Sequence, residues 1–423
     1  MSDSSQAVLE IVPPAGPLTG KITPPGSKSI TNRALLVAAL AKGRSVITGA
    51  LSSDDTRYMA EALRAMGVAV ERQGTTFTVT SSGRLAAPEK PLFLGNAGTA
   101  TRFLTAACAF VEGRVVIDGD EHMRKRPIRP LVEALQRLGI DARCETGCPP
   151  VELFGNPAAF AGRDEISVEI DGSLSSQYVS ALLMAAPQAP VPVNVRVTGD
   201  GIGSQGYIDI TLSVMRAFGA NIEQEKALAW RITPTGYTAT DFAVEPDASA
   251  ATYIWAWEKL TGGSIDIGVR PKDMSQPDAV AYRFIQQFPH FPAEIAGEQM
   301  QDAIPTLAVM AMFNETPVRF TGLSNLRVKE CDRVRALSTE LNKIAPDLAR
   351  EEGDDLIVLG RPDRANDDTP VEIFTYADHR IAMSFALAGL KRKGIRILDP
   401  GCVAKTYPDY WKDLARIGVK YRA

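Results

Sequence analysis

A small, Ala-rich apolar helix pattern occurs six times along the chain, and each copy runs directly into a β-rich stretch. The six helices read TNRALLVAALAKG, TATRFLTAACAFVEG, SQYVSALLMAAP, ASAATYIWAWEKLTGG, IPTLAVMAMFNET and HRIAMSFALAGLKRKG. The stretches after them read RSVITGA, RVVIDGD, VNVRVTGD, SIDIGVR, VRFTGL and IRILDPG. A polar loop follows, then a second helix with apolar residues three and four apart. Four of these end in Gly (MAEALRAMG, LVEALQRLG, TLSVMRAFG and WKDLARIG), where a left-handed residue is expected to close the helix. AYRFIQQF and LSTELNKI keep the spacing without the Gly. Helix, strand, loop, helix and further strands such as TTFTVTS and LAWRITP thus recur at roughly 50–80 residues, and no other feature constrains the fold as strongly. The first helix of each unit is apolar nearly all round and should be buried; the second is amphipathic and should lie outside. Six units divide into two bodies of three. The segments Thr23–Gly26 and Val244–Asp247 read as crossings between them. One domain is therefore expected at 24–243, and a second, discontinuous one at 1–23 plus 244–423.

Composition narrows the function. A chain of 423 residues suits two or three domains, and 45% hydrophobic with 23% charged residues is ordinary for a globular protein. The net charge of −4 argues against wholesale binding to nucleic acid. Five Cys without a C-x-x-C pair fit reduced thiols, and three scattered His are too few for a metal cluster. The N-terminal stretch lacks a signal-peptide pattern, and no apolar run approaches the ~20 residues of a membrane span. A cytoplasmic protein without a nucleic-acid or membrane partner is expected.

On this weakly acidic background, polar residues gather at two equivalent places in each unit. One is the start of the buried helix: GSKSITNR, GNAGTATR, GSLSSQ, EPDASAAT, QDAIPT and YADHR. The other is the loop after the strand: SSDDTR, EHMRKRPIRP, GSQGY, RPKDMSQ, RVKECDR and VAKTYPDY. Helix N-termini carry positive potential. Lys28, Arg33, Arg102, Arg126, Lys329, Arg333, Arg380 and Lys405 add to it, which makes a zone suited to small polyanions. PPGSKSITNRALL is not a Walker A loop, because no earlier Gly stands at the required distance. Ser27 reads either as a helix cap or, with Ser29 and Lys28, as a phosphate grip; GNAGTATR repeats the design and favours the grip. Asp302 and Glu330 read either as ion-pair partners or as a general acid/base pair. Asp54 and Asp55 read as helix-dipole residues.

The motifs GSKSITNRALL, GNAGTATR, RKRPI, SLSSQYVSALLMAAP, GYIDIT, RVKECDR, TYADHR and AKTYPDY resemble, in order, those of the 5-enolpyruvylshikimate-3-phosphate (EPSP) synthase family, from about Pro24 to Tyr410. The resemblance implies an α/β fold: a two-domain inside-out α/β barrel of six βαβαββ units, with the site in the cleft between the domains. It implies transfer of the enolpyruvyl group of phosphoenolpyruvate to the 5-hydroxyl of shikimate 3-phosphate by addition and elimination. By matching motif, Lys28 would touch both substrates. Ser29, Arg33, Ser175, Ser176, Gln177, Ser204 and Tyr207 would bind shikimate 3-phosphate, with Asp302, Asn325 and Lys329 from the second domain. Phosphoenolpyruvate would lie against Gly98, Arg126, Gln177, Arg333, Arg380 and Lys405. Asp302 would take the 5-hydroxyl proton, and Glu330, with Lys28, would be the partner acid/base. No metal or organic cofactor is implied, and a monomer is expected. The chain departs from the family at Thr101 and Phe103, where Met and Pro are usual. It departs again at Ala377 for Asn, Cys331 for Thr and His122 for Arg. These departures are expected to loosen supporting hydrogen bonds more than charge.

Two other readings compete. The sister transferase acting on UDP-N-acetylglucosamine shares the fold and uses a reactive Cys. A non-catalytic anion-binding protein would have no use for Asp302 or Glu330.

Overall fold

The computed structural model describes residues 8–160, 162–199 and 201–422. The chain divides into two compact units, Gly26–Glu245 and Met1–Pro25 with Pro246–Ala423. Each has its own apolar core.

In the unit Gly26–Glu245 the Ala-rich patterns form helices Lys28–Ala39, Gly98–Ala107 and Ser176–Ala185, and nearly every residue of them is buried. Small side chains allow this: Ala at successive turns lets helices approach closely without a polar stripe. The amphipathic patterns form Asp54–Ala65, Arg129–Arg137 and Gly206–Ala217, each buried on one face. The residues that close them, Gly67, Gly139 and Gly219, stand at φ +87, +94 and +83. The sheets share one path. A short strand pairs parallel with the strand after the buried helix, which pairs antiparallel with a third strand, which pairs antiparallel with a fourth. Leu92–Phe93, Gly113–Asp118, Val151–Gly155 and Asp141–Arg143 are one set. Ile166–Asp171, Val193–Thr198, Ala229–Ile232 and Ile222–Lys226 are another. The third set, Tyr237–Thr238, Ala41–Thr48, Thr76–Ser82 and Ala69–Gln73, gains Phe242–Ala243 as a fifth strand.

The other unit follows the same plan with helices Ala248–Thr261, Ile304–Ala311 and His379–Lys391 at its centre. Glu294–Ala296, Val318–Thr321, Asp355–Val358 and Ala349–Glu352 repeat the four-strand path. So do Val371–Ile373, Ile395–Leu398, Val8–Val12 and Lys420–Arg422, in which the N-terminal strand lies between two C-terminal ones. Only Gly fits at position 389 of the central helix, because an added Cβ would stand 2.4 Å from Ile11 Cβ. Among the described residues the remaining sheet has two strands, Thr19–Lys21 and Ser264–Asp266. No helix among the described residues is long and apolar enough to cross a membrane.

Candidate active site

The buried helices begin where the polar motifs lie, so the fold delivers those motifs to helix N-termini. In the unit Gly26–Glu245, Ser27 caps the Lys28 helix, its Oγ accepting from the Ile30 N–H at 3.2 Å. Ser27 is fully buried, so its hydroxyl serves the helix and drops out of the anticipated grip. Lys28 Nζ lies 3.6 Å from Asp55 Oδ2, with the side chains 13% and 4% exposed. Both Asp54 and Asp55 stand in the first turn of their helix, as expected, and Asp55 has a second role. Asp54 is an exposed first-turn residue paired with Arg57 at 3.2 Å, whereas Asp55 is a buried counter-ion for Lys28.

Arg33 is 1% exposed. Its Nε donates to Thr211 Oγ1 at 2.7 Å and Nη1 to the Ser29 carbonyl at 2.9 Å. Its Nη2 donates to Ser180 Oγ at 3.2 Å and to the Tyr207 carbonyl at 3.3 Å. The rings of Phe103 and Tyr207 lie 5.1 and 5.8 Å from its guanidinium carbon. All these partners are neutral. Burial pushes the guanidinium down to about 10, which still leaves it charged at neutral pH. A buried cation compensated only by dipoles and aromatic faces keeps a strong positive field around it. Phe103 is thus more than a bulky replacement; it forms one wall of the Arg33 site.

At Gly98 an added Cβ would stand 2.5 Å from Arg102 Nη1 and 2.8 Å from Arg126 Cζ. The absence of a side chain lets two guanidiniums close on one helix N-terminus. Arg102 donates to the Gly98 and Pro127 carbonyls at 2.8 and 3.1 Å, and Arg126 donates to Asn96 Oδ1 at 3.1 Å. Gln177 Nε2 reaches Thr99 Oγ1 at 3.4 Å. Ser175 Oγ caps its helix by accepting the Gln177 N–H at 3.2 Å, which leaves its own proton to donate. Ser176 is buried beside it. Ser204 is buried at φ +62, and its carbonyl accepts from the Tyr207 N–H at 3.1 Å.

In the other unit, ion pairs join the anticipated residues into one network. Arg333, 1% exposed, donates to Asp302 Oδ1 at 3.0 Å, Glu330 Oε2 at 2.7 Å and Asp378 Oδ2 at 2.7 Å. Arg380 Nη2 donates to Asp302 Oδ2 at 2.8 Å, and Lys405 Nζ lies 3.1 Å from Glu330 Oε1. Each candidate proton carrier is therefore held between two cations. The surrounding carboxylates hold the Arg333 and Arg380 guanidiniums firmly charged against the cost of burial. Asn325 is buried in the short helix Ser324–Val328 and Lys329 follows it, so the chain delivers both next to Glu330.

Asp378 was missed at the sequence level. It is fully buried, caps the His379 helix and accepts from Arg333, from the Arg380 N–H at 2.8 Å and from Cys331 Sγ at 3.6 Å. Its place one residue before a buried helix was the available signal. Cys331 therefore keeps a hydrogen bond where Thr is usual. Ala377 stands at φ +51, a conformation that suits Asn better than Ala. His122 is partly exposed, with its N–H bonded to Asp120 Oδ1 at 3.0 Å.

Cations at helix N-termini in one unit, and cations paired with two carboxylates within the other, are the features of a protein that handles small polyanions. The EPSP synthase (3-phosphoshikimate 1-carboxyvinyltransferase) family model matches residues 12–414. The chain is 64% identical over 417 residues to a 3-phosphoshikimate 1-carboxyvinyltransferase of Rhizobium leguminosarum bv. trifolii, covering 98% of each. It is 62% identical to one of Pseudomonas syringae pv. syringae, again over 98% of each. An EPSP synthase structure from Acinetobacter baumannii is similar with TM-score 0.76 and 25% identity, over 98% of this chain and 100% of that one. The chain belongs to the EPSP synthase family. Cys108 is fully buried, with its thiol pushed up to about 12 by burial, which disqualifies it as the reactive Cys of the nucleotide-sugar alternative.

Proposed function

We infer that the chain transfers the enolpyruvyl group of phosphoenolpyruvate to the 5-hydroxyl of shikimate 3-phosphate, releasing phosphate, in the route to chorismate and aromatic amino acids. The observation that carries this is the network in which Asp302 lies between Arg333 and Arg380, and Glu330 between Arg333 and Lys405. The reaction needs that combination. Two phosphates and two carboxylates must be gathered against their repulsion, and a proton must leave one oxygen while another reaches carbon.

Asp302 removes the 5-hydroxyl proton as the oxygen bonds to C2 of phosphoenolpyruvate, and Glu330, with Lys28, delivers a proton to C3. The product of this addition is a tetrahedral intermediate. Elimination then breaks the bond from C2 to the phosphate oxygen. Phosphate leaves with the electron pair, and C3 gives its proton back. Before substrate arrives, both carboxylates are neutralised by their cations. The phosphate and carboxylate of phosphoenolpyruvate compete for Arg333, Arg380 and Lys405, and each cation drawn away raises the proton affinity of both carboxylates, so that Asp302 can take the 5-hydroxyl proton and Glu330 can take up from solvent the proton it passes to C3. Proton transfer is thereby tied to substrate binding.

Lys28, Ser29, Ser175, Ser176, Gln177, Ser204 and Tyr207 hold shikimate 3-phosphate, with Asn325 and Lys329, while Gly98, Arg126 and Gln177 join the cations around phosphoenolpyruvate. Arg33 acts beneath this layer, its charge fixing Ser29 and Tyr207 and attracting the anion. The finer architecture belongs to the proposal: six βαβαββ units in an inside-out α/β barrel, three in each of the domains 24–243 and 1–23 plus 244–423. The repeated four-strand path supports it. A cytoplasmic, monomeric enzyme completes the reading.

Phosphate release by the purified chain tests the activity. It should require phosphoenolpyruvate and shikimate 3-phosphate together. Release with UDP-N-acetylglucosamine instead, or with neither acceptor, would overturn the reading.

A further inference from the structure

Glu340 is fully buried and stands apart from the ion pairs described above. It lies on the helix Arg333–Ile344, seven residues after Arg333, so the two side chains leave nearly the same helix face two turns apart. Its Oε2 accepts from the Phe374 N–H at 3.0 Å and from Lys343 Nζ at 2.7 Å. Its Oε1 accepts from the Tyr376 hydroxyl at 2.8 Å. Burial, reinforced by that bond, pushes the Tyr376 hydroxyl up, so it remains a neutral donor.

The segment gripped in this way is strained. Tyr376 and Ala377 stand consecutively at φ +56 and +51, and such a pair of non-Gly residues persists only where its surroundings hold it. The strain leads directly into the network. Asp378 comes next, bonded to Arg333, and Arg380 two residues later is bonded to Asp302.

We propose that Glu340 is a positioning residue for enolpyruvyl transfer: its carboxylate holds Phe374–Ala377 in the strained turn, and the turn sets Asp378 and Arg380 against Arg333 and Asp302. The inference rests on the functional reading above. One helix thus carries a site cation at its start and, two turns on, the bracket that aligns that cation's partner. Without the bracket the turn relaxes, Asp378 leaves Arg333, and the cations assigned to phosphoenolpyruvate lose their alignment. The residues assigned to shikimate 3-phosphate in the unit Gly26–Glu245 are unaffected.

The test is Glu340→Gln, which sets an amide N–H against donors that now face a carboxylate. The KM for phosphoenolpyruvate should rise about tenfold while kcat falls less than about threefold, and affinity for shikimate 3-phosphate should hold. Ala377→Gly added to Glu340→Gln should bring that KM back, because Gly takes positive φ without strain. Should Glu340→Gln fail to fold, Tyr376→Phe, which removes one hydrogen bond, should move the KM in the same direction by less. An unchanged KM alongside a lowered melting temperature, or no recovery with Ala377→Gly, overturns the proposal. Hydrogen exchange at the Asp378 and Arg380 amides reads the turn without substrate. It should quicken in Glu340→Gln and slow again with Ala377→Gly, and unchanged exchange sinks the bracket. A wild-type chain that releases no phosphate sinks the functional reading instead, and leaves the exchange measurement to judge the bracket.

Discussion

Replacing Arg333 with Met should cost the protein much of its stability, and the size of the loss follows from the bonds involved. Arg333 makes four charge-assisted hydrogen bonds, one each to Asp302 and Glu330 and two to Asp378. At about 1.5–3 kcal/mol each, their simple sum would be about 6–12 kcal/mol. That sum overstates the loss, because each carboxylate keeps a partner: Arg380 for Asp302, Lys405 for Glu330, and the Arg380 N–H for Asp378. What remains is a buried cluster with one negative charge too many, and breaking a buried pair in this way costs about 3–5 kcal/mol. Urea unfolding is the assay. With a slope of about 2 kcal/mol per M, the midpoint should fall by about 1.5–2.5 M. Arg333→Lys should fall between wild type and Arg333→Met, since one ammonium cannot serve three carboxylates in fixed directions. Asp378→Asn added to Arg333→Met should recover at least about 1 kcal/mol, because it removes the excess charge and Asn still caps a helix. A loss below about 1 kcal/mol for Arg333→Met, or a further loss on adding Asp378→Asn, would refute the charge-balance reasoning.

Gly98→Ala should leave stability within about 1 kcal/mol, because the added Cβ meets guanidinium ends rather than backbone; one of those ends is Arg126, which is proposed to hold phosphoenolpyruvate, so its KM should rise about tenfold in steady-state assays. Asp302→Asn and Glu330→Gln should retain substrate binding by calorimetry while turnover falls by about 10²–10⁴. Asp55→Asn should loosen Lys28, raising KM for both substrates with little change in unfolding midpoint. Burial pushes the Asp413 carboxyl up from its ordinary value. Its contribution to stability is therefore complete below the unfolded pKa of about 3.9 and is lost as pH rises through the folded value. Asp413→Asn should lessen the decline in melting temperature above that range.

The fold was readable wherever packing is periodic. The six Ala-rich runs became the six buried helices because they are apolar on every face and leave no polar side to turn to water, and Gly67, Gly139, Gly219 and Gly418 close helices at positive φ as their sequence positions indicated. Residue type singled out Lys28, Asp302, Glu330 and Arg333 as candidates, and the structure joins the last three in one ion-pair network. Residues that act through other residues left no such sign. Asp55 sits in a doublet whose first member is a plain surface charge, and only the approach of its helix to Lys28 separates the two roles. Asp378 looks like a capping residue and is one, yet it also anchors Arg333. Glu340 lies in the amphipathic run LSTELNKI, where a Glu reads as a solvent-facing charge until the turn at Phe374–Ala377 folds over it.

Product analysis tests the central claim most directly. When phosphoenolpyruvate labelled with ¹³C at C2 is mixed with shikimate 3-phosphate and the purified chain, NMR should show the labelled carbon become an enol ether bonded to the 5-oxygen, with phosphate formed in equal amount. Labelled pyruvate in place of the enol ether, or labelled phosphoenolpyruvate that persists unchanged with both substrates present, would contradict the account.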